Sequence, residues 1–200
     1  KTSNYDTDVF QPLIQFIAAE AKLSYGQDER LDIAMRVMAD HIRAISFCIA
    51  DGQLPSNNKR GYVVRRILRR AVRYAYQYLN FKEPFLNKLV PVLAEQFDGV
   101  FRELKAQQDF VQKAVLEEEA AFLRTLESGL VRSDKLLGKI KADDVSFPYL
   151  EDHLGNKTPV KGIPGSMIFD LYDTFGFPVD LIQLIFRGNG VWREMNSFEA

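Results

Sequence analysis

Apolar residues along this chain recur at the spacing of α-helices, with few stretches of strand-like alternation. Val9, Leu13, Phe16 and Ile17 mark a first helix, and Asp6 and Thr7 stand ahead of it as candidate caps. A second pattern runs from about Leu31 to Ala50 and turns Ile33, Val37, Ile42, Ile45 and Ile49 inward. Gly52, Pro55, Ser56 and Asn57 then interrupt the periodicity, which is the chemistry of a loop. A third helix is predicted from Tyr62 to about Leu79. A shorter one follows from Pro84 to about Gln96, because proline suits a helix's first turn. From Lys105 to Ala142 there is neither proline nor a pair of adjacent glycines. Phe110, Val111, Val115, Phe122, Leu126, Leu130 and Leu137 make that stretch one long helix, or two broken near Gly129. Residues 143–164, with three prolines and two glycines, read as an irregular loop or a short hairpin. Helix returns over Ser166–Phe175, stops at Gly176 and restarts after Pro178. The predicted fold is all-α, with a core on the 31–50 and 62–79 helices braced by the long one. No internal repeat or low-complexity segment interrupts it.

Composition narrows the function classes. With 46% hydrophobic residues in 200, there is enough apolar surface for one sizeable core and a small appendage. Cys48 has no second cysteine to pair with, which fits a reducing, cytoplasmic setting. No apolar stretch reaches the roughly 18 residues of a membrane span, and no signal-peptide pattern opens the chain, so no membrane partner is expected. The first residues, Lys-Thr-Ser-Asn, lack a methionine, and Ser197-Phe198-Glu199-Ala200 resembles a helix just starting. Both ends read as cuts in a longer chain.

Charge changes the picture more. The 26 basic and 27 acidic residues nearly cancel, yet residues 52–82 hold eight basic side chains and no acidic one. The rest of the chain therefore carries all 27 acidic residues against the remaining 18 basic ones. The basic patch also has geometry. At about 100° per residue, with Arg65 at 0°, Arg69, Arg73, Arg66 and Arg70 fall at about 40°, 80°, 100° and 140°. Val64, Ile67, Leu68, Ala71, Val72 and Ala75 occupy the arc from about 200° to 340°. An ordinary solvated face would carry glutamates at i+4. Five uncompensated arginines repel one another, and their planar forks suit phosphate oxygens. The competing reading is internal pairing with the acidic body, with Asp109, Glu117, Glu118 and Glu119 as candidates.

The run from Asn57 to Tyr74, Asn-Asn-Lys-Arg-Gly-Tyr-Val-Val-Arg-Arg-Ile-Leu-Arg-Arg-Ala-Val-Arg-Tyr, closely resembles a signature of the alanyl-tRNA synthetases. Three further blocks resemble the same family in the same order. They are Ser3–Asp8, Val37–Arg43 and Leu171–Leu181, the last reading Leu-Tyr-Asp-Thr-Phe-Gly-Phe-Pro-Val-Asp-Leu. The likeness spans nearly the whole chain. It thins at 143–163, at Ile182, where the family usually carries threonine, and from Phe186 to Trp192.

The resemblance implies a helical region that binds the acceptor stem of alanine transfer RNA. Residues 1–8 would then be the remnant of a catalytic domain's edge, 9–181 the recognition domain, and 182–200 a helix leading toward an editing region. It also implies that the ATP, magnesium and zinc of the full enzyme are held outside this chain, which would be inactive alone as an alanine–tRNA ligase. The family's main identity element is a G·U wobble at the stem's third pair. A-form RNA offers a shallow minor groove, and guanine's exocyclic amine is the only base donor there. In a wobble the uracil shifts toward the major groove and leaves that amine free. A carboxylate that accepts from it, together with an amide, makes a suitable reader. By the resemblance these are Asp173 and Asn57, with Lys59, Arg60, Arg65, Arg66, Arg69, Arg70 and Arg73 available for phosphates. From residue types alone, Asn57 is an ordinary loop asparagine and Asp173 a helix-end carboxylate. Asp170 and Asp180 are neighbouring decoys.

Other constellations carry less. His41 and Cys48 could share a helix face, but two ligands do not make a zinc site, and His153 lies in the irregular stretch with no partner spacing. No Gly-rich phosphate loop, Ser-His-Asp arrangement or H-E-x-x-H is present. Glu117-Glu118-Glu119 has the look of a solvated helix face. Phe97 and Phe101, Tyr74 and Phe85 fit core packing better than base stacking.

Overall fold

The structure, a computed structural model, describes residues 3–141, 149–151, 157–159, 165–177 and 179–189. Contacts group the chain into two compact units, 1–123 and 124–200. That division falls inside the longest helix and is a matter of packing, separate from the functional boundaries expected at 8 and 181.

The first unit opens with a 3-10 turn, Asn4–Asp6. Ser3 caps it, and the Asp6 carboxylate accepts the Ser3 N–H at 2.9 Å, so the two residues satisfy each other's backbone. Asp6 is thus spent here and does not cap the next helix as expected. Helix α1, Gln11–Ala21, starts after Phe10 without any side-chain cap; backbone bonds from Phe10 and Gln11 to the Thr7 carbonyl make the join instead. Helix α2 spans Glu29–Ala50 behind an Asp28 cap that accepts from Arg30 and Leu31. Its inward face is Ala34, Met35, Met38, Ala39, Ile42, Ile45 and Ile49, all essentially inaccessible, whereas Ile33 is 41% exposed. The expected stripe was one position out of phase at its start, because Met35 and Met38, rather than Ile33 and Val37, complete the run to Ile42.

Helix α3, Lys59–Tyr78, packs along α2. It buries Val64, Leu68, Ala71, Val72 and Ala75. Each large aliphatic so buried contributes roughly 1.5–3 kcal/mol. Pro84 does not begin the next helix. A 3-10 turn at Leu86–Lys88 leads into α4, Leu89–Gln96, and the proline in the first turn is Pro91, where a missing N–H leaves no bond unmade. Helix α4 packs on α1 and α2. Phe97 lies half-buried between Phe47 (5.7 Å) and Phe101 (5.9 Å), under the Arg43 guanidinium; Phe101 itself is 45% exposed, so only its partner fits the core reading. Phe85 is buried and stacks on Phe81, as core packing requires, and Tyr74 leans on Tyr78.

The long stretch breaks at Gln107, between α5 (Arg102–Ala106) and α6 (Gln108–Lys141). It is continuous through Gly129. Within the second unit that glycine is a close-approach site, since a Cβ there would sit 2.5 Å from the ring of buried Phe177. Residues 149–151 (β1) and 157–159 (β2) form the short hairpin alternative, antiparallel with Leu150 opposite Thr158. Helix α7 runs Gly165–Asp173, Gly176 takes a positive φ of 64°, and α8 runs Val179–Arg187, crossing the expected boundary at 181. His153 and residues 190–200 lie outside the described residues. The all-α class holds, with one two-stranded insert.

Candidate nucleic-acid interface

The loop ahead of α3 is pinned by backbone rather than by bulk. Ser56 N–H donates to the Gly61 carbonyl at 3.0 Å, and Ser56 Oγ donates to the Asn58 carbonyl at 3.0 Å. Gly61 is required there: a Cβ would come within 2.2 Å of Ser56 Oγ and 2.4 Å of the Leu54 carbonyl. Lys59 adopts φ of 51°, the left-handed region that a side chain enters only at some cost. Asn57, Asn58, Lys59 and Arg60 are thereby held exposed at the start of the arginine helix. Lys59 and Arg60 border an open groove of about 470 Å³, also lined by Gly52, Gln53, Leu54, Ser56, Asn58 and Gly61.

The arginine face then divides. Arg65 and Arg69 turn toward the first half of α6, where one carboxylate, Glu118, takes both. Arg65 Nη2 is 3.0 Å from Glu118 Oε2, and Arg69 reaches Oε1 through Nε (2.8 Å) and Nη2 (2.7 Å). Arg69 also lies over the Phe122 ring at 5.0 Å. Arg65 Nη1 donates to Asn57 Oδ1. Arg73 is 7% exposed and lies over the Tyr74 ring; burial pushes its pKa below the ordinary arginine value, although the side chain stays charged. On the outer side Arg70 is exposed and Arg66 half-buried. Two expected phosphate ligands, Arg65 and Arg69, are therefore engaged by the protein itself. Arg73 is covered, and Lys59, Arg60 and Arg70 remain at the surface.

The acidic partners correct the expectation of a solvated Glu117–Glu119 face. Only Glu117 fits it, 3.9 Å from Lys113. Glu118 is 9% and Glu119 1% exposed. Glu119 Oε1 accepts the Phe85 N–H (2.9 Å) and the Leu86 N–H (3.1 Å), while Oε2 is buried without a partner. Burial raises its pKa to about 7, against the lowering pull of those N–H donors and of Lys88. The signal was in the spacing. Val111, Val115, Glu118, Phe122 and Leu126 follow the 3–4 rhythm of one face, and Glu119 lies four past Val115. Two glutamates stood on an apolar stripe.

In the second unit Asp173 ends α7 with its side chain exposed, and no hydrogen bond or ion pair holds it among the described residues. Asp170 differs: Thr174 Oγ1 donates to it at 3.1 Å and Arg132 Nε is 3.5 Å away. Asp180 sits in the first turn of α8. The structure thus brings Asn57, Arg65, Arg69 and Glu118 together in the first unit, and in the second no partner for Asp173 stands among the described residues. Among the described residues no three His, Cys, Asp or Glu side chains gather as a metal site, and no helix is long and apolar enough to cross a membrane. His41 lies 3.2 Å from Asp40, and burial lowers its pKa.

A helical body carrying a basic surface next to a pinned polar loop is suited to a polyanion such as nucleic acid. The family described as tRNA synthetases class II (A) matches residues 1–200, and the chain belongs to it. Within that family it is similar along its whole length to the alanine–tRNA ligases of Cytophaga hutchinsonii (60% identical), Bacteroides thetaiotaomicron (52%) and Porphyromonas gingivalis (49%). In each case all 200 residues align and cover 21% of the relative, so the chain spans about a fifth of the length of the curated relatives it matches.

Proposed function

We propose that this chain is the part of an alanine–tRNA ligase that grips the acceptor stem of alanine transfer RNA and tests its G·U wobble pair. The larger enzyme would esterify alanine to that RNA with ATP and magnesium, and would hold zinc elsewhere. The observation that carries the reading is the exposed basic set, Lys59, Arg60 and Arg70, beside the Asn57 loop, in a chain similar throughout to alanine–tRNA ligases. Surface guanidinium and ammonium groups neutralise phosphates and set register without reading sequence. Base reading falls to Asn57 and Asp173. An exposed carboxylate is unfavourable beside phosphates unless it receives a donor, so Asp173 favours a free guanine amine and penalises a pair without one. Asp170, already held by Thr174 and Arg132, is poorly placed for that role.

The test is a titration of alanine acceptor hairpins, one with G·U and one with A·U, at a single salt concentration. A preference for G·U is expected, and Asp173→Asn should reduce it by ~1–3 kcal/mol, the usual worth of a specific base contact. Equal binding of both hairpins by the unmodified chain would mean an unselective RNA-binding module. No binding would mean a helical scaffold whose arginines serve the fold, a reading that the Glu118 pairing favours for Arg65 and Arg69 alone.

A further inference from the structure

The geometry points to Glu118 as a positioning residue: acting through Arg65, it fixes the Asn57 amide so that its N–H₂ group, and not its carbonyl, faces a ligand. This rests on the reading that Asn57 contacts the RNA. A guanidinium has five donors and no acceptor, so the only Asn57 atom that can face Arg65 Nη1 is Oδ1, as observed. Occupying that oxygen turns the amide nitrogen the other way. Arg65 is not free to let go. Its Nη2 is held by Glu118 at 3.0 Å, and its side chain is only 21% exposed. Glu118 is itself fixed by Arg69, whose Nε and Nη2 both converge on the other carboxylate oxygen. The loop end is fixed as well, by the Ser56–Gly61 backbone bond and the Gly61 close approach. A chain of charge-assisted contacts, part-buried at Glu118 and exposed at its far end, therefore runs from α6 to one amide.

The chemical consequence is a division of labour. With Oδ1 turned to Arg65, the amide points its two N–H donors outward and its carbonyl inward, so it suits a carbonyl or hydroxyl oxygen of the RNA, and accepting from the guanine amine is left to the Asp173 carboxylate. Arg65 then acts by orienting Asn57, with its own phosphate-binding capacity largely spent. Asn57→Asp is the informative substitution. It keeps an oxygen for Arg65 and the side-chain shape, and removes the donor.

Two measurements on the full chain decide it. Without RNA, the side-chain amide resonances of Asn57 in an isotope-labelled sample report its setting. They should shift in Glu118→Gln and in Arg65→Lys, which keeps the charge but loses the second arm, while those of Asn58 stay put. Unmoved Asn57 resonances in Arg65→Lys overturn the proposal even if Glu118→Gln folds poorly. With the G·U hairpin, Asn57→Asp and Asn57→Ala should each weaken binding about tenfold. Glu118→Gln should weaken it in the Asn57 background and add nothing in the Asn57→Ala background. Wild-type affinity in Asn57→Asp, or undiminished loss from Glu118→Gln once Asn57 is alanine, overturns it. An unmodified chain with no G·U preference sinks the base-reading role instead, and the resonance shifts alone then decide whether Glu118 positions the amide.

Discussion

Two stripes of the same helix use the same residue type for opposite ends. On the inner stripe of α3, Arg65 and Arg69 share one nearly buried carboxylate and Arg73 is covered beside Tyr74. On the outer stripe Arg70, with Lys59 and Arg60 at the helix start, stands in solvent. A buried cation requires a partner or a heavy desolvation penalty, whereas an exposed one is stabilised by water and is free to exchange that water for phosphate. The helix wheel cannot separate these stripes, because they adjoin on one arc. For Arg65 and Arg69 what divides them is Glu118 of α6.

The sharpest way to break the contrast is to remove the shared acid. Glu118→Ala should lower unfolding stability by roughly 3 kcal/mol, since it strands two guanidiniums with limited access to water. Arg70→Ala should fall within about 0.5 kcal/mol of the unmodified chain, as surface changes do. Urea denaturation of the two variants measures the difference, and similar midpoints would erase the distinction between stripes.

The neighbouring Glu119 supplies a second, smaller contrast, resolved by pH. Its folded pKa is raised to about 7, above the ordinary glutamate value of about 4.3 in an unfolded chain. Between those values the folded protein holds a proton that the unfolded chain has released. The associated stability is full below about pH 4 and is lost as pH rises through 7, by on the order of 3–4 kcal/mol. Glu119→Gln keeps an oxygen for the Phe85 and Leu86 N–H groups and should flatten this component of the profile. A pH series of denaturant midpoints that falls equally steeply in both proteins would assign the dependence to other groups.

The smallest effect belongs to the outer stripe and appears only with RNA. Arg70→Ala should flatten the log–log salt dependence of hairpin binding by about 0.7–0.9 for each phosphate no longer neutralised, with G·U and A·U weakened alike. Arg69→Ala should leave that slope nearly unchanged while lowering the melting temperature. A reversal of the two results would place the phosphate-binding groups on the inner stripe.

Most of the helices were legible from periodicity, because burying one face of an amphipathic helix leaves a 3.6-residue rhythm that no other arrangement produces. The basic stretch 52–82 and the loop at its start were legible too, from charge segregation and from Gly52, Pro55, Ser56 and Asn57, whereas the close approach that requires Gly61 was not. Boundaries were less so. Asp6 looked like a cap for α1 and instead completes a reciprocal cap with Ser3. Gly129 looked like a break and instead makes room for Phe177. A glycine weakens a helix by roughly 1 kcal/mol, and a ring fitted against it can offset that, but the ring lies nearly fifty residues away.

The local code therefore determined which segments are helical, where positive charge gathers, and which family block each segment resembles. These depend on neighbours within a few turns, whose interactions scale with sequence spacing. Tertiary structure alone decided which arginines are spent on Glu118 and which stay at the surface, and that Glu119 is buried. It also engaged Asp170 with Thr174 and Arg132. Charged side chains are long, and their free energy depends on the dielectric around their tips and on whichever opposite charge comes within about 4 Å. That partner is set by packing: Arg69 and Glu118 are 49 positions apart in the chain and 2.7 Å apart in the fold.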